Sequence, residues 1–190
     1  MKTLATLLLL ATLAPAAGAA VIWDESVNGD LATDPSTPTP ITFAMGGNTI
    51  IGTVSNSAAV GGDRDYITFT LSAAQVVDVI SLLAFSPDNL SFLALNSGNT
   101  SFVPSAATNA SFLSGIHVGA SLVGTNLLIP FTTSSVTTNH LTSPILGPGT
   151  YCFVIQQTSN IVESYSLEFV MQTPLPTTSP TWGKIKSLYR

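Results

Sequence analysis

Residues 65–71 (DYITFTL) set Tyr66, Thr68 and Thr70 against Ile67, Phe69 and Leu71. A period of two belongs to a strand with one buried face, and no amphipathic helix can be made from it. Near the other end, residues 165–172 (YSLEFVMQ) repeat the pattern, with Tyr165, Leu167 and Phe169 alternating with Ser166, Glu168 and Val170. Further β-rich runs at 48–55, 90–95, 116–123, 127–132 and 151–157 are separated by Gly, Asn and Pro turns such as Gly61-Gly62-Asp63 and Gly147-Pro148-Gly149. Residues 76–85 (VVDVISLLAF) fit helix or buried strand by period alone. Their Val and Ile content, and the Ser86-Pro87-Asp88-Asn89 turn behind them, favour strand. Strands at this spacing with no helical period between them predict an all-β fold, an antiparallel β-sandwich of jelly-roll type.

Composition agrees. Asp, Glu, Lys and Arg make up only 8% of the 190 residues, about a third of the usual share, so the residues that build exposed helices are scarce. Of five basic residues, Lys184, Lys186 and Arg190 crowd into the last seven positions, and the net charge is −5. The body of the chain therefore lacks the basic stripe that neutralises phosphates, and nucleic-acid binding is excluded.

The chain is expected to divide into a leader, residues 1–20, a sandwich domain, residues 21–173, and a disordered proline-containing tail, residues 174–190. In the leader Lys2 is the positive start, residues 4–13 form the apolar stretch, and Ala17-Gly18-Ala19-Ala20 is the small-residue cleavage site, cut after Ala19 or Ala20. Pro15 and the small residues cut the stretch short of the ~18 apolar residues a membrane span needs. The mature product is thus expected to be secreted, with no membrane span. Residues 21–40 carry three prolines and are expected to approach the domain in extended form. Cys152 is the single cysteine, so no intramolecular disulfide forms, and inside a strand it reads as a small buried apolar residue.

Four stretches, Trp23-Asp24-Glu25-Ser26, Asn28-Gly29-Asp30-Leu31, Gly62-Asp63-Arg64-Asp65-Tyr66-Ile67-Thr68-Phe69-Thr70 and Gly147-Pro148-Gly149-Thr150-Tyr151, resemble the bacterial pre-peptidase C-terminal domains and their relatives among exported proteins with PEP-CTERM sorting tails. The likeness spans most of the mature chain, and it implies a β-sandwich of jelly-roll type. After Pro174-Leu175-Pro176 no apolar segment precedes Trp182 and the basic residues, which departs from the sorting-tail pattern and favours simple release.

The residues themselves suggest an ion site. Asp24, Glu25, Asn28 and Asp30 place four oxygen-bearing side chains in seven positions, and Asp63 and Asp65 add two on a glycine-flanked turn. Hard cations such as Ca2+ take six to eight oxygen ligands, and crowded carboxylates repel unless a cation offsets them. The resemblance maps a calcium role onto Asp24, Glu25, Asp63 and Asp65, with Asn28 and Asp30 as further candidates. The structural alternative is that both clusters are solvated turn and cap residues, one of them paired by Arg64.

Other constellations are weaker. His117 and His140 do not have a zinc spacing, and no serine sits in a G-x-S-x-G elbow. Asn89, Asn99 and Asn109 head glycosylation-type triplets. Trp23, Trp182, Phe102 and Phe112 suit either a sugar platform or packing. The sequence thus predicts a secreted, non-enzymatic module with a structural or binding role toward an extracellular polymer, glycan or protein, and calcium as its cofactor. The alternatives are a small extracellular hydrolase or its accessory domain, and a self-assembling surface protein whose sheet edges pair.

Overall fold

The structure, a computed structural model, describes residues 18–56, 62–87, 90–98, 111–157 and 159–174. Nine strands are named among them: β1 (Ala20–Asp24), β2 (Thr39–Pro40), β3 (Gly46–Val54), β4 (Arg64–Leu71), β5 (Val76–Ser86), β6 (Ser91–Ser97), β7 (Ser114–Val118), β8 (Gly149–Gln157) and β9 (Glu163–Gln172). They form a four-stranded sheet in the order β1-β3-β9-β5 and a five-stranded sheet in the order β2-β4-β8-β6-β7. The two sheets pack as a sandwich, so the all-β expectation holds.

The alternation read from the sequence is what fills the space between the sheets. Ile67, Phe69 and Leu71 of β4 and Tyr165, Leu167, Phe169 and Met171 of β9 all face inward and are buried. At the centre Phe169 stacks on Phe43 with ring centroids 4.8 Å apart, and Phe153 meets it edge-on at 5.6 Å. Burying one such ring contributes ~2–3 kcal/mol. Cys152 is buried on the opposite face of β8, in a smaller cluster with Tyr66, Ala94 and Val154.

Most pairs are antiparallel, but β1 runs parallel to β3 and β2 runs parallel to β4. Parallel neighbours require a long crossover, and residues 25–45 provide one, carrying the chain from the edge of one sheet to the edge of the other and back. Pro40 closes β2 at a sheet edge, where a missing N–H breaks no ladder. Residues 21–40 therefore hold two short strands and a turn of helix rather than one extended approach.

Two expected strands come out differently. Residues 127–132 form a short helix, α2 (Leu128–Phe131), because Pro130 interrupts a ladder and the Asn126 carboxamide accepts from the N–H groups of both Ile80 and Leu128. The strand expected over 116–123 ends at Val118. A 3-10 turn, Ala120–Leu122, follows Gly119, and the segment runs along β5, with bridges from Val123 to Leu82 and from Asn126 to Ser81. This segment covers an otherwise open sheet edge.

Residues 1–17 of the expected leader, the expected tail from residue 175, Phe102, Trp182 and the triplet residues Asn89, Asn99 and Asn109 lie outside the described residues. Among the described residues, no helix is long and apolar enough to cross a membrane.

Candidate metal centre

The site lies where β1 leaves its sheet. The last β1·β3 pair is Asp24 with Ile51, and there the chain breaks into a single helical turn, α1 (Glu25–Asn28). Asp24 starts the turn from an extended backbone, its Oδ1 accepting from Ser26 N at 2.9 Å and from Ser26 Oγ at 2.6 Å. Asn28 Oδ1 accepts from Asp24 N at 2.9 Å. Gly29, at φ +90°, ends the turn, and its N–H donates to the carbonyl of Glu25. Gly29 also offers its own carbonyl to the Trp23 indole N–H at 3.1 Å. Asp24 and Asn28 thus direct oxygens to the backbone of their own turn, as caps do.

The turn points Glu25 toward β3. Its Oε2 accepts from Thr53 N at 2.7 Å, just past the last β1·β3 pair, so the carboxylate takes the place of the departed strand. Its Oε1 accepts from Leu31 N at 3.1 Å. Burial raises the Glu25 pKa, the two backbone hydrogen bonds oppose that rise, and the nearby Asp30 adds to it.

Asp65 comes from the other sheet. By parity it shares a face with Ile67, Phe69 and Leu71, so β4 drives this carboxylate inward, and only 1% of it remains exposed. Its Oδ2 accepts a 2.5 Å hydrogen bond from the hydroxyl of Tyr165, which projects inward from β9. Its Oδ1 is buried without a hydrogen-bond partner. Burial pushes the Asp65 pKa well above 3.8, and Glu25 pushes it further. Burial and the negative charge of Asp65 together hold the Tyr165 hydroxyl protonated far above its ordinary range, so it acts as a donor.

Gly52 makes this approach feasible. It lies opposite Tyr165 in the β3·β9 ladder, and a Cβ there would stand 2.5 Å from the Tyr165 hydroxyl and 3.0 Å from Glu25 Cδ. A pocket of about 540 Å³ opens over it, lined by Asp24, Glu25, Asp30, Gly52, Thr53 and Ser164 among others.

One carboxylate oxygen from each of Glu25, Asp30 and Asp65 lies within 4.8 Å of the other two. Asp63, bridged to Ser55 at the start of the same segment as Asp65, has a buried Oδ1 with no partner. Burial, then the charges of Asp30 and Glu25, push its pKa up to about 7. The charges acting on Glu25, Asp63 and Asp65 are therefore those of other carboxylates. Arg64, the single Lys or Arg in the segment 18–174, does not relieve them. This set of oxygens fits a hard cation.

Of the six residues expected at the site, the structure gathers Glu25, Asp30 and Asp65, keeps Asp63 within electrostatic reach, and uses Asp24 and Asn28 as turn caps beside it. Sequence reading missed Tyr165, Gly52 and Thr53. A signal for Tyr165 existed, since it lies on the same inward face as Leu167 and Phe169. His117 lies elsewhere, its ring 5.9 Å from that of Phe92, and His140 lines a different pocket with Tyr151. Phe112 packs edge-on against Phe92, and Trp23 packs partly buried against the main core, so both serve packing.

The fold and the site together define a two-sheet β-sandwich with an acidic, oxygen-rich pocket beside the β1–α1 turn. No family model and no curated protein matches the chain. Among solved structures it is similar to PliG from Salmonella Typhimurium, a periplasmic inhibitor of g-type lysozyme, at 13% identity and a TM-score of 0.35, covering 72% of this chain and 96% of that one. It is also similar to the pre-peptidase C-terminal domain of a collagenase from Bacillus anthracis, at 14% identity and a TM-score of 0.33, covering 74% of this chain and 100% of that one.

Proposed function

We propose that this protein is an exported, non-enzymatic β-sandwich module with a structural or binding role outside the cytoplasm, braced at one end by a calcium ion. The observation that carries the reading is Asp65: a carboxylate 1% exposed, with one oxygen unpartnered and other carboxylates for neighbours. Leaving such a group buried costs several kcal/mol unless it is protonated or matched by a cation. Protonation is one answer, and the raised pKa values express it. At neutral pH outside a cell a divalent cation is the other.

Glu25, Asp30 and Asp65 would hold the ion, with Asp63 as a further ligand and solvent filling the rest of the shell. Calcium suits this set better than magnesium, because it accepts six to eight oxygens in irregular geometry, whereas magnesium demands a near-ideal octahedron. The ion would join the β1–α1 turn to β4, tying together segments from both sheets that otherwise repel. Export is supported by the leader read in residues 1–20 and by a weakly charged, strand-rich composition.

The test is thermal unfolding of the full exported chain in calcium and in excess chelator. Calcium should raise the midpoint, and Asp63→Ala with Asp65→Ala should abolish the response. A parent midpoint indifferent to calcium and chelator overturns the reading.

A further inference from the structure

The start of β1 carries a second feature. Ala20 pairs with Asn48 and Val21 with Thr49, and Thr49 pairs on its other side with Glu168. The sheet face that bears Glu168 is the outer one, since Asn48, Ile50, Leu167 and Phe169 turn inward and are buried. On this outer face, at Gly47, an added Cβ would collide with Glu168 Oε1, and it would stand 2.9 Å from Ala19 Cβ and 3.0 Å from Ala19 Cα. Ala19 and the Glu168 carboxylate therefore crowd the same small space above a glycine. Gly18, Ala19 and Ala20 are themselves exposed.

The crowded alanine lies at the expected leader cleavage site. Ala17-Gly18-Ala19 has the small-x-small form after which leader peptidases cut. Hydrolysis of the Ala19–Ala20 amide consumes one water and leaves a carboxylate on Ala19, which departs with the leader, and an ammonium on Ala20, which stays in the sheet. The departing residue vacates the space beside Glu168 Oε1, and the new positive charge forms on the Ala20 nitrogen that it leaves behind.

We infer that Glu168 is the acceptor for the mature N-terminal ammonium, so that leader removal creates an ion pair that fastens the first strand to β9 across β3. In a segment with a single Lys or Arg, Arg64, processing adds a second fixed cation, and it does so beside a carboxylate. The same geometry orders events. A peptidase must hold the scissile bond extended in its own cleft, whereas docked β1 ties Ala20 to β3, so cleavage precedes docking.

The inference rests on the export reading above, and its failure is separable from that of the calcium site. The full chain with its leader is produced in an exporting cell and the mature protein isolated. Intact mass should place the N-terminus at Ala20. The α-amino group, followed by NMR after reductive 13C-methylation, should titrate roughly half a unit to one unit above the ordinary 7.7–8.0. Glu168→Gln should return it to that range and leave the calcium response unchanged. An N-terminus elsewhere, or an amine whose titration ignores Glu168→Gln, overturns the inference. A chain retained with its leader intact overturns the export reading with it.

Discussion

Replacing Asp65 by Asn tests the site through a change of sign. The substitution keeps the shape of the side chain and an oxygen to accept from Tyr165, but removes a charge from a position 1% exposed. The amide nitrogen then takes the place of the unpartnered Oδ1, and Glu25 and Asp30, each with a carboxylate oxygen within 4.8 Å of one of Asp65's, no longer face a third like charge. In chelator the variant should therefore be more stable than the parent, by roughly 1–3 kcal/mol, the cost of an uncompensated buried group. In calcium the order reverses. A ligand at a hundred times its dissociation constant stabilises the parent by ~2.7 kcal/mol, and the variant, lacking a central ligand, loses most of that. A domain of this size gains roughly 2–4 °C per kcal/mol, so two melting curves in each condition resolve the crossing. A variant less stable than the parent in both conditions would refute the reasoning, because Asp65 would then be an ordinary hydrogen-bonded core residue.

Three further outcomes follow from the same geometry. Without calcium, stability should fall as pH rises from about 4 to about 7, since Asp63 in the fold holds its proton up to about 7 against an ordinary 3.8 and the stability this brings, full below the unfolded value, is lost as pH passes the folded one. For a half-buried group, solvent screening reduces the full ~4 kcal/mol to ~1–2 kcal/mol; saturating calcium, which needs ionised carboxylates, should flatten or reverse the slope in pH-dependent urea titrations. Gly52→Ala should cost ~1–3 kcal/mol in denaturant unfolding and blunt the calcium response, because its Cβ would press on the Tyr165 hydroxyl and Glu25 Cδ. Asp24→Ala should cost ~1 kcal/mol through loss of the cap on the turn after β1 yet retain most of the calcium response, which an isothermal calcium titration would check.

The sandwich was legible in the sequence because a buried sheet face writes itself as a period of two, and β4 and β9 carry that period almost without interruption. Residues 127–132 were misread because an apolar run does not say whether a proline and a neighbouring carboxamide will curl it. The parallel pairing of β1 with β3 and of β2 with β4 was also hidden, since pairing direction depends on where a crossover travels rather than on the strand's own residues.

The acidic site divides the same way. The sequence by itself determined which oxygens were available and that a segment nearly free of Lys and Arg had nothing of its own to neutralise them. It also held the parity that sends Asp65 inward beside Ile67. Only the tertiary structure decided which acids meet. Asp24 and Asn28 bond to their own backbone within a few residues, whereas the meeting of Glu25 with Asp65 and of Asp65 with Tyr165 spans 40 and 100 positions and exists because two sheets close over one core. Local hydrogen bonds form wherever the chain is short enough to reach, but a shared ion site is a property of packing.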